Sequence, residues 1–109
     1  MPRENNDMEI SDSLIVIPET SELLIYPNPS KSTVNFKLNE SIIDKGNVKI
    51  KIIDINGRTV MDLFNGELKR DKMIWNGRAF NGKEAPTGIY FFRMEMGSEE
   101  KTQKFVILR

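Results

Sequence analysis

An all-β fold, an immunoglobulin-like β-sandwich of about seven antiparallel strands, is what this sequence predicts, on three observations. Apolar residues recur with period two, as in Val34, Phe36 and Leu38 or Val48, Ile50 and Ile52; that spacing puts alternate side chains on one face of a strand. Asn-Gly pairs stand at 56–57, 65–66, 76–77 and 81–82, and both residue types tolerate the positive φ of tight hairpin turns. No segment sustains helical periodicity. Short strands at turn-marked intervals of about 8–12 residues fit a sandwich, and a small barrel satisfies the same periodicity.

Taken in order, residues 1–22 are rich in Asn, Asp, Glu and Ser and read as a flexible linker. They hold one apolar island, Leu14–Ile17, closed by Pro18; its other readings are a short edge strand or the last strand of a preceding domain. The folded domain is expected over residues 23–109. A first strand, Leu23 to Tyr26, stops at Tyr26-Pro27-Asn28-Pro29, because neither proline has the N–H a ladder requires and each biases its predecessor to extended geometry. That stretch marks a corner where linker becomes domain, with Tyr26 expected to pack beneath the first hairpin.

Strands follow at Val34 to Leu38 and Val48 to Ile52. The sequence Asp54-Ile55-Asn56-Gly57-Arg58 is the clearest hairpin turn, leading into a strand from Arg58 to Phe64. Further strands are expected at Lys72 to Trp75, Gly88 to Met96 and Lys101 to Leu108. In the sixth, Tyr90, Phe92, Met94 and Met96 form an apolar row facing the core, with Ile89, Phe91, Arg93 and Glu95 on the other side. Each such side chain, fully buried, contributes roughly 1.5–3 kcal/mol of transfer free energy.

Composition narrows the chemistry. A chain of 109 residues fits one domain. Sixteen basic residues balance sixteen acidic ones, so net charge argues for neither nucleic acid nor an anionic membrane. Cysteine and histidine are both absent, which removes thiolate nucleophiles, histidine triads and the usual zinc sites. No run approaches the ~20 apolar residues of a membrane span, and residues 1–7 lack the apolar stretch of a signal peptide; if the natural protein is exported, its signal is expected upstream of Met1.

Local constellations have ordinary readings. Asp54-x-Asn56-Gly57 offers two oxygen ligands at most before Arg58 intrudes, too few for a calcium loop. The carboxylates at Asp62, Glu19, Glu22, Glu99 and Glu100 lack an apolar pocket or partner suited to acid–base work. Lys49, Lys51, Lys69, Arg70 and Lys72 have no aromatics interleaved on the same face and suit a guard against edge pairing better than a strand-binding surface. Trp75, beside the turn at Asn76-Gly77-Arg78, is either core packing or a stacking platform for a sugar. No catalytic, cofactor or metal residues are expected.

Tyr26-Pro27-Asn28-Pro29, then Asp54-Ile55-Asn56-Gly57-Arg58, then Gly88-Ile89-Tyr90 and a closing strand Lys104-Phe105-Val106-Ile107-Leu108-Arg109 together resemble the C-terminal sorting domain of type IX secretion system cargo proteins. The likeness spans about Leu23 to Arg109. It implies a non-catalytic sandwich appended to a secreted enzyme or adhesin, which carries that cargo from the periplasm through an outer-membrane translocon to the cell surface or medium. It also implies removal by a sortase-like attachment machinery, with cleavage in the linker up to about Leu24 and joining of the cargo to an anionic lipopolysaccharide.

The residues that carry the resemblance are the expected recognition set: Tyr26, Pro27, Asn28, Pro29, Asp54, Gly57, Arg58, Gly88, Tyr90, Lys104, Phe105, Val106, Ile107, Leu108 and Arg109. Lys104 and Arg109 are expected at an exposed end. Trp75-Asn76-Gly77-Arg78 followed by Gly88-Ile89-Tyr90 is also similar to the immunoglobulin-like module of flagellar hook-capping proteins, with Asn76 where that turn has aspartate. The alternatives are therefore a structural spacer or assembly module of that type, or a small carbohydrate-binding module using Trp75.

Overall fold

The computed structural model describes residues 23–109; the linker, with its island at Leu14–Ile17, lies outside the described residues. Seven strands run β1 Leu23–Tyr26, β2 Val34–Leu38, β3 Asn47–Asp54, β4 Thr59–Glu67, β5 Lys72–Trp75, β6 Gly88–Met96 and β7 Glu99–Ile107. A single 3₁₀ turn, Glu40–Ile42, lies between β2 and β3; Asn39 caps it by accepting from the Ser41 N–H at 2.8 Å. Strands β1-β2-β5 form one antiparallel sheet and β4-β3-β6-β7 the other, so β4 hairpins onto β3 rather than joining β5.

The two sheets close on a core that the alternation predicted. Val34, Phe36 and Leu38 from β2 meet Val48, Ile50 and Ile52 from β3, each 2% exposed or less. Aromatic rings bridge the layers: Phe36 lies 4.7 Å from Phe92 and 5.6 Å from Phe105, and Trp75 lies 6.0 Å from Tyr90 and 6.1 Å from Phe105, between ring centroids. All but the tilted Phe36–Phe92 pair are edge-to-face contacts, which add to area burial.

Three details depart from the periodicity. Asn65-Gly66 is not a turn: Gly66 sits inside β4 opposite Val48, so β4 continues three residues past Phe64 to Glu67. Ile53 is 7% exposed although alternation places it on the outer face, paired with Phe91 on β6; the register shifts at Ile50/Lys51 and Ile52/Ile53 lie between β3 and β4, where Leu63 and Val60 are the extra residues of β4. β7 starts at Glu99 because Gly97-Ser98 turns the chain, with Met96 and Glu99 paired across a two-residue loop.

Candidate functional site

The motif residues come together at one pole of the sandwich. Asp54 at the end of β3 pairs with Tyr90 on β6, Tyr90 pairs with Phe105 on β7, and Gly88 pairs with Ile107. The proline corner joins the same pole from the other side. The Asn28 side-chain oxygen accepts from the Val106 N–H at 3.0 Å, the Ser30 N–H donates to the Val106 carbonyl at 3.0 Å, and the Leu108 N–H donates to the Ser30 carbonyl at 2.7 Å. Ser30 and Ile107 form a parallel bridge, and Ser30, 2% exposed, gives its hydroxyl to the Thr33 carbonyl at 2.6 Å.

This explains why the strand-forming run breaks at the prolines. β1 belongs to the three-stranded sheet, and the corner carries the chain across to the outer edge of β7 in the other. Both X-Pro bonds, Tyr26-Pro27 and Asn28-Pro29, are cis. Tyr26 does not pack beneath a hairpin: it is 46% exposed, because the register that buries Phe36 opposite Ile25 turns Tyr26 and Leu24 outward.

Asp54 folds its own turn. Its Oδ1 accepts from the N–H groups of Asn56 and Arg58 at 2.9 Å each, and its Oδ2 from Arg58 Nε at 3.1 Å. These donors, the Arg58 N–H first, hold the carboxyl below the ordinary aspartate range. Gly57 completes the turn at φ +84°, where a β-carbon is disfavoured. All the hydrogen bonds of Asp54 are spent inside the loop, and Arg58 and Ile55 project outward, the latter 66% exposed. Among the described residues no group of three or more metal-ligating side chains occurs.

Tyr90 is a tyrosine corner: its hydroxyl donates to the Pro86 carbonyl, four residues upstream, at 2.6 Å, while its ring, 4% exposed, packs in the core. Trp75 is also a core residue. It is 1% exposed and its Nε1 donates to the Arg78 carbonyl at 2.9 Å, so the reading of Trp75 as a sugar platform is overturned. A strand-end position gave no sign of orientation, and a carbonyl within reach of the indole N–H removed the reason to stay in water.

Arg109 corrects a second expectation. Lys104 is exposed as anticipated, but the Arg109 side chain is only 22% exposed and reaches back across the pole. Its guanidinium donates to the carbonyls of Ala85, Gly77 at 2.8 Å and Lys31 at 3.1 Å, with Glu84 at 3.7 Å, and its backbone N–H donates to Thr87 Oγ1 at 2.9 Å. Gly77 is required where it stands: its φ is +79°, and a β-carbon would meet the Ser32 carbonyl oxygen at 2.5 Å. A terminal arginine after an aliphatic run carried no sign of this clamp.

Of the expected recognition set, then, Phe105, Ile107 and Tyr90 are core, while Asn28, Asp54, Gly57 and Arg109 organise backbone. Tyr26, Pro27, Pro29, Arg58, Lys104 and Leu108 remain at the surface. Sequence reasoning missed Phe80, 76% exposed on the β5–β6 connection, where its N–H is held by the Val60 carbonyl at 3.0 Å. Asp54, Ile55, Arg58, Phe80 and Ile89 share the lining of one open concavity beside the turn.

The comparisons fit this geometry. The profile of the secretion system C-terminal sorting domain matches residues 24–108. Two solved structures share the fold. PorZ, an essential bacterial surface component of the type-IX secretion system of Porphyromonas gingivalis, superposes with a TM-score of 0.61 at 23% identity over 84% of this chain and 12% of its own. Dimeric latent PorU from the same organism gives 0.62 at 17% identity over 80% of this chain and 9% of its own. The chain thus spans about a tenth of either relative. No curated protein matches it, and neither the profile nor these two structures is a hook-capping module. The chain belongs to the secretion system C-terminal sorting domain family of type IX secretion.

Proposed function

We propose that this domain directs a protein fused upstream of it through the type IX system to the cell surface or medium, that the translocon and a sortase-like attachment machinery are its partners, and that it is cleaved off on export in the segment before β1. The observation that carries the reading is the family match over residues 24–108. The convergence of the motif residues at one pole supports it further, since a translocon can read a folded pole as a unit. Reading falls to the side chains left at the surface there, Tyr26, Arg58, Phe80, Lys104 and Leu108, while the organising residues hold them in place. The domain itself works by recognition rather than by chemistry.

The test is a reporter behind a signal peptide, fused to residues 1–109 and expressed in a type IX-competent cell. Export is expected for the parent fusion, and periplasmic accumulation for Arg58→Gln with Phe80→Ser provided that variant melts like the parent. Equal export of a reporter lacking residues 23–109 would overturn the sorting role. Full export of the folded double variant would remove Arg58 and Phe80 from the recognised surface.

A further inference from the structure

The two sheets differ in width: three strands face four. On β3, Ile50 and Ile52 are 1% and 0% exposed, yet the residues paired with them on β4, Phe64 and Met61, stay half-buried on the same inner face. Among the described residues no strand covers them from the facing layer, because β5 is the last strand of its sheet and β4 the last of its own. A groove of about 330 Å³ opens there, between Leu63 and Phe64 on β4 and Met73 and Ile74 on β5. The start of β4 is covered, where the Phe80 N–H holds the Val60 carbonyl at 3.0 Å, and residues 68–71 carry the chain between the sheets past its end. Between these two the side of the sandwich is open.

The outer edge of β5 presents groups that pair. The Leu38 N–H donates to the Asp71 carbonyl at 2.7 Å, in register with the pairs Phe36–Met73 and Val34–Trp75. Bonded and non-bonded pairs alternate along an antiparallel ladder, so Met73 and Trp75 turn their N–H and C=O groups to β2, and Lys72 and Ile74 turn theirs to the free edge. The side chains of Lys72 and Ile74 stand on the outer face of the sheet, Ile74 62% exposed, while Met73 between them lines the groove.

Charge selects what fits. Of the charged groups around the groove, Lys69 is engaged by Asp44 at 2.8 Å and Glu67 at 3.2 Å, Asp71 by Lys37 at 2.8 Å, and Asp62 stands opposite Lys51 on β3. Arg70 and Lys72 are exposed and, among the described residues, in no ion pair. As guards of the edge they repel a basic strand, β5 of a second copy included, since that copy brings the same two cations; a strand bearing carboxylates is attracted by the pair that turns the others away.

We propose that this groove takes a short extended segment of a partner protein as a fourth strand on β5, with an apolar side chain opposite Ile74, a carboxylate two positions on, opposite Lys72, and a second carboxylate beside Arg70. The partner residue opposite Met73 points inward and covers Phe64. Backbone bonds to Lys72 and Ile74 supply the attachment, and the alternate side chains supply the selectivity. The docking does not rest on the sorting reading, and a test on the isolated chain leaves that reading untouched whichever way it falls.

The probe is acetyl-Thr-Val-Ile-Glu-Ile-Glu-amide, whose valine falls opposite Ile74 and whose first glutamate falls opposite Lys72 in antiparallel register; it is titrated into the amide-labelled chain 1–109. The amides of Lys72 and Ile74 are expected to shift and to exchange more slowly, and the analogue with lysine at both glutamates to bind at least about tenfold more weakly. Arg70→Glu with Lys72→Glu is expected to melt like the parent, since both side chains are exposed, and to reverse that preference. Methylating the peptide nitrogens of the valine and the first glutamate, the two that face β5, is expected to abolish binding. Equal affinity for the two peptides, an unreversed preference in the folded double variant, binding by the methylated peptide, or shifts confined to other strands would overturn the proposal. Shifts at β5 that grow with protein concentration in the absence of peptide would overturn it too, by assigning the edge to a second copy.

Discussion

Replacing Arg109 with methionine separates its two candidate roles, a recognised surface charge and an internal clamp. Methionine keeps the length of the aliphatic stem and removes every donor of the guanidinium. Of the three carbonyls left behind, that of Lys31 belongs to an exposed residue and finds water, while those of Gly77 and Ala85 belong to buried residues. The Gly77 carbonyl keeps the Ala85 N–H at 2.8 Å as a partner, so its loss is partial. Two charge-assisted bonds at a half-buried site, each worth about 1–2 kcal/mol net, give an expected loss of about 2–4 kcal/mol. The Glu84 pair adds little, because that carboxylate is 59% exposed. Against a total of ~5–15 kcal/mol the loss is large, and it lowers Tm by at least about 8 °C.

The assay is urea unfolding followed by the fluorescence of Trp75, the one tryptophan of the chain, with an unchanged m-value as the check that the comparison is valid. Arg109→Lys is expected to recover less than half of the loss, since a single ammonium cannot reach three diverging carbonyls. Lys104→Gln is the control, within ~0.5 kcal/mol of the parent. An Arg109→Met variant as stable as that control would refute the clamp. The same numbers govern export experiments: loss of secretion on truncating the end of β7 reports on folding first and on recognition only after stability has been matched.

At glycine, Gly77→Ala is expected to cost at least 2 kcal/mol more than Gly57→Ala: both positions have positive φ, but only the Gly77 β-carbon meets backbone, whereas nothing lies within 4 Å at Gly57; equal urea midpoints would refute the contact with Ser32. Asn28→Ala should lose about 1 kcal/mol and deprotect the Val106 amide in hydrogen exchange, while Asn28→Asp, which keeps the acceptor, should not. Asp54 and Asp71 are both held below the ordinary aspartate value of 3.8, the first chiefly by the Arg58 N–H and the second by Lys37 at 2.8 Å. Their stabilisation is complete above that value and is lost as pH falls through the lower folded-state values, so the acid limb of a urea-midpoint profile should flatten in Asp54→Asn with Asp71→Asn; an acid limb of unchanged slope would show that these carboxylates do not drive acid unfolding.

What was legible in the sequence was whatever depends on neighbours along a strand or around a turn. Val34, Phe36 and Leu38 announced both a strand and its buried face, and Asp54-Ile55-Asn56-Gly57-Arg58 contains every donor and acceptor its own turn uses. The limits of Leu23–Tyr26, Lys72–Trp75 and Gly88–Met96 were readable because proline or glycine bounds them or their apolar row runs unbroken. Contacts between distant segments were not legible. Asn28 meets Val106 across seventy-eight positions and Arg109 meets Gly77 across thirty-two, and an asparagine between prolines looks the same whether or not a strand edge waits for it. Tyr26 was misplaced for a related reason: period two says which residues share a face but not which face is inside.

The parallel tie between Ser30 and the end of β7 has a mechanical consequence. The chain enters at Leu23 on one pole and reaches Arg109 on the other, so tension between these points pulls the Asn28–Ser30 segment and Val106–Leu108 past each other along their length. Neighbours running the same way are then loaded in shear, and the bonds at Val106 and Leu108 share the force together instead of parting one by one as a hairpin does when peeled from its open end. Under forced unfolding, where the barrier to opening sets the lifetime, such a ladder resists a steady pull between its two ends and then releases in a single step. A domain so wired behaves as a rigid handle on whatever it is joined to, gripping until it yields all at once.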